Sequence, residues 1–287
     1  MLESREAIQL FTSQSIQNIA KGNHDFVIDV ITKYLKYEPS SLTLSQAFDL
    51  TMKKASKEYK NEYYYKNKIA NELFLKKHKK NTATMVSEFR VGNAKADCAI
   101  FNGKTTCYEI KTEFDTLKRL PEQISEYAKL FDEIYIVASR NHIDRIVDIT
   151  PSHIGIIELT EKGFLRDFRT ASLINTPIDP VLMTQSLRRS EYVEIASLIK
   201  GVNINVNNME IYKHCLDIIK SEDPQILREH FREVIKKHRM INYDLVRSLP
   251  FSLVSSFISY NLTKSIQLSI SEMLTKEIVT EDTCTAH

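Results

Sequence analysis

Ala96-Asp-Cys-Ala-Ile-Phe101, Asn102-Gly103-Lys104 and Thr105-Thr-Cys-Tyr-Glu-Ile-Lys111 are the stretch on which the reading of this chain turns. Two short apolar runs flank an Asn-Gly pair, which is a strong local signal for a β-hairpin. Residues i and i+2 of a strand project from the same sheet face, so Glu109 and Lys111 point together. Asp97 lies on the partner strand, and the turn decides whether it joins them. A two-residue turn at Asn102-Gly103 pairs Phe101 with Lys104 and puts Asp97 opposite Tyr108, on the other face. A three-residue loop, Phe101 to Gly103 with the glycine left-handed, pairs Ile100 with Lys104 and Asp97 with Cys107. Asp97, Glu109 and Lys111 then share a face, with Cys98, Ile100, Tyr108 and Ile110 on the opposite, core face. The bulged turn, or an equivalent one-residue shift, is the expectation.

Working outward, residues 84–172 keep the strand period. Met85–Val91 alternates, Glu133–Ala138 is a short apolar run typical of a buried strand, and Ile154–Leu159 with Phe164–Phe168 forms a second hairpin. Helices are expected at Pro121–Phe131 and His142–Val147. Four of the six glycines fall in this zone. On either side the period is helical: Leu2–Ile19, Phe26–Leu35, and a helix capped at Thr43 or Ser45 that runs toward Lys77 with a break among the tyrosines. Beyond residue 172, Asp179-Pro180 and Asp223-Pro224 each read as an N-cap followed by proline in the first turn. The last residues, Thr280–His287, are polar and expected to be disordered. This gives an α/β (α+β) chain in three zones: an N-terminal helical region over 1–60, a sheet-bearing core over 61–172 and a C-terminal helical region over 173–287.

The composition fits a globular protein of one or two domains. The 287 residues are 43% hydrophobic and 26% charged, enough to bury a sizeable core. With 39 Lys+Arg against 37 Asp+Glu, the net charge of +2 excludes a polycation that coats nucleic acid by charge alone. The 6 glycines and 7 prolines exclude collagen-like and low-complexity chains. The 4 cysteines show no C-x-x-C spacing; Cys98, Cys107 and Cys215 read as core residues and Cys284 as a tail residue. Without a disulfide framework, a signal peptide or a long apolar run, the expected location is the cytoplasm. None of the eight histidines is assigned as a ligand.

Two carboxylates on one face are costly unless a cation sits between them. Mg²⁺ or Mn²⁺ prefers oxygen donors, and a lysine alongside can orient the attacking water or steady charge on phosphorus. Asp97 and Glu109 as metal ligands with Lys111 as their catalytic partner therefore match metal-assisted phosphodiester hydrolysis.

At these residues the chain resembles the PD-(D/E)XK nuclease superfamily, with its restriction-endonuclease-like αβββαβ core and mixed sheet. Within it, Gly92-Asn-Ala-Lys-Ala-Asp97, Tyr108-Glu-Ile-Lys111, Asp115-Thr-Leu-Lys-Arg-Leu-Pro-Glu-Gln123-Ile-Ser-Glu-Tyr127 and Phe131-Asp132 are most similar to the sce7726 family of small bacterial proteins. Gln123-x-x-x-Tyr127 is similar to a motif of RecB- and Cas4-like exonucleases whose Gln and Tyr contact DNA near the site. The resemblance covers roughly residues 60–170 and the helix from Asp179-Pro180 through Glu191. Ala96 stands where the family name has proline, and no extra histidine ligand can be placed. The resemblance implies one more carboxylate; Glu72 and Glu88 are the two candidates.

A nucleic acid, DNA above all, is the implied partner. Residues 51–80 carry ten lysines against three glutamates, interleaved with Tyr59 and Tyr63 to Tyr65, a pattern suited to phosphates and stacked bases. Arg228, Arg232, Lys236, Lys237 and Arg239 form a second basic cluster, while Lys118 and Arg119 lie closer to the proposed site. The implied activity is a metal-dependent nuclease in anti-phage defence or DNA processing, compatible with a homodimer. The alternative is an inactive nucleic-acid-binding, adaptor or immunity protein on the same fold.

Overall fold

The computed structural model describes residues 3–278; Thr280–His287, with Cys284, lie outside the described residues. The chain is mixed α/β and divides into two compact units, residues 74–242 and a second built from residues 1–73 and 243–287.

The first unit holds an open six-stranded mixed sheet in the order β1 (Thr84–Val91), β2 (Ala94–Phe101), β3 (Thr105–Lys111), β4 (Glu133–Ser139), β5 (Gly155–Leu159) and β6 (Leu165–Arg169). β1, β2 and β3 run antiparallel, β3 to β5 are parallel, and β6 returns antiparallel. The parallel crossovers contain the helices Leu120–Tyr127 and Arg140–Ile149, so the βββαβ part of the expected order is present. Asp179 and Asp223 cap the helices Pro180–Ser186 and Pro224–His238 through their side chains, as their Asp-Pro pairs predict.

The β2–β3 register is not the bulged turn itself but the one-residue shift expected as its equivalent. Phe101 pairs with Thr105, so the loop is Asn102 to Lys104, shifted one residue the other way. The Asn102 side chain decides this. Its Oδ1 accepts the Lys104 backbone N–H at 2.8 Å, and the Asn102 N–H donates to the Lys104 carbonyl at 3.0 Å. Continued along the strands, this register sets Asp97 level with Glu109.

The core includes Ala99, Phe101 and Cys107 together with Leu120, Ile124 and Tyr127 of the first crossover helix and Phe231 of the Pro224–His238 helix. The sheet face that carries Glu109 and Lys111 is thus covered by helices, and Cys98, Ile100 and Ile110 of the opposite one are buried as well. Phe89, Phe101, Phe131 and Phe231 meet there with ring centroids 5.4 to 6.2 Å apart, each such pair contributing about 1 kcal/mol. Across the helices, Glu191 is fully buried and takes two 2.7 Å bonds from the Arg239 guanidinium, which also lies over the Phe89 ring.

The second unit is helical. Thr43 and Gln46 form a reciprocal capping box at the start of Leu44–Glu58, and Asn61 caps the next helix after the break at Tyr59. Tyr64 and Tyr65 are core residues, and Tyr63 donates to the Ser252 carbonyl at 2.7 Å. Lys54 donates to the Tyr34 carbonyl, and Lys66 pairs with Glu62. The Lys/Tyr segment is therefore in good part packing of this unit, and its tyrosines are not an open stacking surface.

Candidate active site

Between Ser87↔Cys98 and Phe89↔Ala96 the β1–β2 ladder leaves out Glu88 and Asp97. Core-facing positions run Phe101, Ala99 on one side of the gap and Ala96, Ala94 on the other, so the strict alternation slips here. Glu88 has φ of 56°, a left-handed conformation that strains a side-chain-bearing residue by about 1–2 kcal/mol. The slip removes two carboxylates from the ladder and brings an oxygen of Glu88 within 4.8 Å of one of Asp97. Glu88 is exposed and pairs with Lys95 at 3.0 Å. Asp97 reaches across to β3, where its Oδ2 accepts the Ile110 backbone N–H at 2.7 Å. A side chain thereby extends the β2–β3 contact past Cys98↔Tyr108, on the stretch of β3 where Glu109 and Lys111 pair with β4.

Glu109 is the centre of a closed polar network. It is 2% exposed, and Lys111 is 8% exposed. Lys111 Nζ donates to Glu109 Oε1 at 2.7 Å and to Gln123 Oε1 at 3.0 Å. Gln123 Nε2 donates to Glu109 Oε1 at 2.6 Å. The Tyr127 hydroxyl lies 2.7 Å from Glu109 Oε2 and 2.9 Å from the Lys95 carbonyl. Burial, then the nearby Cys107 and Glu109, hold the Tyr127 phenol far above its ordinary range, so it remains a donor. Burial and Glu109 likewise push up the Cys107 thiol, leaving it inert.

Gln123 and Tyr127 thus stand with Glu109 and Lys111, as their i, i+4 spacing on a helix facing β3 allows. Tyr127 is fully buried, so its contacts are with Glu109 and Lys95, not with a ligand outside. Lys118 and Arg119 are exposed at the start of this helix. Glu72 belongs to the other unit, where it pairs with Lys68. Sequence reading missed the loop after Lys111. There Asp115 Oδ2 accepts both the Thr112 N–H and hydroxyl at 2.7 Å, and His142 Nε2 meets the Thr112 carbonyl at 3.0 Å. The Thr112-x-x-Asp115 spacing was the available signal for that turn. Of the second basic cluster, Arg228 binds Asp132 at 2.7 Å, Arg239 binds Glu191, and Lys236 and Lys237 pair with glutamates.

Asp97 and Glu88 offer carboxylate oxygens within 4.8 Å of one another, donors that suit a hard divalent cation, while Glu109 is bound into the network of Lys111, Gln123 and Tyr127 and keeps a lone pair on Oε2.

Comparison with known proteins bears on ancestry. A solved structure, the SPO1766 protein of unknown function from Silicibacter pomeroyi, is similar at 14% identity and a TM-score of 0.32, over 49% of this chain and 92% of that one. Protein cII of Enterobacteria phage P4 is 26% identical over 159 residues, 53% of this chain. The match spans 57% of that relative's own length. The family described as bacteriophage P4 protein cII matches residues 55–250, a span that contains the whole sheet-bearing unit. With most of its length inside that match, the chain belongs to the bacteriophage P4 cII family.

Proposed function

We propose that the sheet-bearing unit is a divalent-metal-dependent nuclease acting on DNA. The observation that carries this is a lysine only 8% exposed, held against Glu109 and Gln123 on the stretch of β3 that Asp97 also reaches. A buried ammonium paired with a buried carboxylate is an expensive arrangement for stability alone.

Asp97, Glu109 and Glu88 are the residues that would hold Mg²⁺ or Mn²⁺, whose chemistry when bound is to polarise a phosphoryl oxygen and acidify a water. Lys111 is placed to orient that water or to meet negative charge developing on the phosphate. Gln123 fixes the lysine, and Tyr127 fixes Glu109. Lys118 and Arg119 meet the flanking phosphates. Glu72 has no part in this reading. The setting we propose is the cytoplasm, in DNA processing or anti-phage defence.

The test is cleavage of single- and double-stranded DNA and RNA with Mg²⁺ or Mn²⁺, wild type against Lys111→Ala. We expect a loss of at least about 100-fold in the variant. Cleavage that survives the substitution overturns the assignment.

One observation favours a second reading, an inactive nucleic-acid-binding or adaptor protein on the same fold. Glu109 is almost fully buried and already accepts three hydrogen bonds from protein groups. Calorimetric titration separates the two: no Mg²⁺ uptake at millimolar concentration, with DNA binding intact, selects the second.

A further inference from the structure

At the far end of β2 and β3 from Asp97 and Lys111, a cleft of about 560 Å³ opens beside the Asn102–Lys104 loop. β3 is seven residues long, so the cleft lies roughly 20 Å along the sheet from the candidate active site. Its walls include Asn102, Lys104, Leu173, Arg228, Glu229 and Arg232. The volume lies within the usual range for a small-molecule site.

The charges in this wall are unevenly satisfied. Asp132 accepts the Thr105 backbone N–H and hydroxyl as well as Arg228. Arg228 also donates to the Thr176 carbonyl, and Lys104 pairs with Glu133. Arg232 is different. Its Nε is buried and finds no hydrogen-bond partner, and the neighbouring Glu233 carboxylate is 3.8 Å away, beyond hydrogen-bond range. The Arg232 side chain as a whole is 21% exposed, lines the cleft and has Glu233 only as an ion-pair neighbour, so a guanidinium whose buried Nε lacks a hydrogen bond is presented to a ligand there. Guanidinium donors match phosphate oxygens in a two-pronged geometry. On the same walls, exposed Leu173 offers an apolar surface, and exposed Glu229 can accept from hydroxyls.

We propose that this cleft binds a small phosphorylated ligand of nucleotide size, with Arg232 holding the phosphate. The site is separate from the candidate active site and does not depend on its being a nuclease. Asp132 and Arg228 build the wall; Arg232 is the group kept for the ligand.

The experiment uses the full chain, with thermal shift and calorimetry against a panel of nucleoside monophosphates, adenosine, inorganic phosphate and a short 5′-phosphorylated oligonucleotide. At least one mononucleotide is expected to raise the melting temperature and to bind at least roughly tenfold tighter than adenosine. Arg232→Met, which removes an unsatisfied polar group, is expected to leave the ligand-free melting temperature unchanged or higher and to weaken that binding at least roughly tenfold. Arg232→Lys keeps the charge without the planar fork and serves if the methionine variant misfolds; it too should bind more weakly. Three results overturn the proposal: no mononucleotide binding at millimolar concentration, binding equal to adenosine, or undiminished binding by both Arg232 variants. Capture of the oligonucleotide without any mononucleotide also overturns it.

Discussion

The Tyr127 hydroxyl has one proton and two acceptors, Glu109 Oε2 and the Lys95 carbonyl. The contact to the carboxylate is the shorter and the stronger, so the hydroxyl keeps its proton and donates it in a hydrogen bond to Glu109 Oε2. Tyr127→Phe removes this donor from a carboxylate that stays buried. We expect a loss of about 1–3 kcal/mol in urea denaturation, an effect absent if the hydroxyl were merely surface polar. A second residue-scale consequence concerns acid. Burial would raise the Glu191 carboxyl, but the Arg239 fork and the Arg188 N–H outweigh it and hold the group below the ordinary carboxylate range. A depressed folded-state value contributes stability that is present above the unfolded pKa of about 4.3 and is lost as pH falls toward the folded value. Denaturation midpoints followed downward from neutral pH should therefore fall in acid, with a shallower fall in Glu191→Gln. Arg239→Met, which leaves the carboxylate buried without its partner, should lose about 3–5 kcal/mol at neutral pH.

Among the elements, the pairing of Tyr135 with Gly155 across β4 and β5 sets a tight limit. A Cβ on Gly155 would lie 2.3 and 2.4 Å from ring carbons of Tyr135. That ring is stacked on Tyr108 at 5.6 Å, and its hydroxyl accepts the Ala171 N–H, so it has little freedom to withdraw. Gly155→Ala should cost about 1–3 kcal/mol, measured by thermal or urea unfolding; an unchanged midpoint would show that the ring yields. This is also the scale at which sequence reading worked best and failed most clearly. Strand alternation, the Asn-Gly hairpin and the two Asp-Pro helix starts are local signals, and β3 and both caps lie where they point. The Asn102–Lys104 register depended on one side-chain bond, which pattern alone does not specify. The burial of Glu109 and Lys111 depends on which helix covers β3, a long-range matter. Tyr64 and Tyr65 carry the same composition whether they stack on bases or fill a core, and only packing distinguishes the two. The slip at Glu88 and Asp97 had no sequence signal, since glutamate is an unexpected residue at a positive φ.

At the scale of the whole molecule, no helix among the described residues is long and apolar enough to cross a membrane. The helical unit is assembled from both ends of the described chain. Asn67 donates to the Phe251 carbonyl at 2.7 Å and accepts the Ser255 N–H at 2.9 Å, while Asp49 accepts from Ser252. Removing residues 243–287 would strand the buried Asn67 amide and take from Asp49 its partner Ser252. The sheet-bearing unit keeps its own core and hydrogen bonds. A fragment of residues 74–242 should fold cooperatively, giving a single sigmoidal urea transition and dispersed amide NMR signals, whereas residues 1–73 alone should not.

That arrangement also sets a timetable for synthesis. The first helices leave the ribosome with Phe11, Phe48, Tyr64 and Tyr65 unable to complete their packing, because residues 243–287 have yet to be translated. At ordinary elongation rates the delay is on the order of ten seconds, while the sheet-bearing unit emerges and can close first. During that interval the apolar side chains of residues 3–73 stay uncovered, and slowing elongation within residues 74–242 would lengthen their exposure.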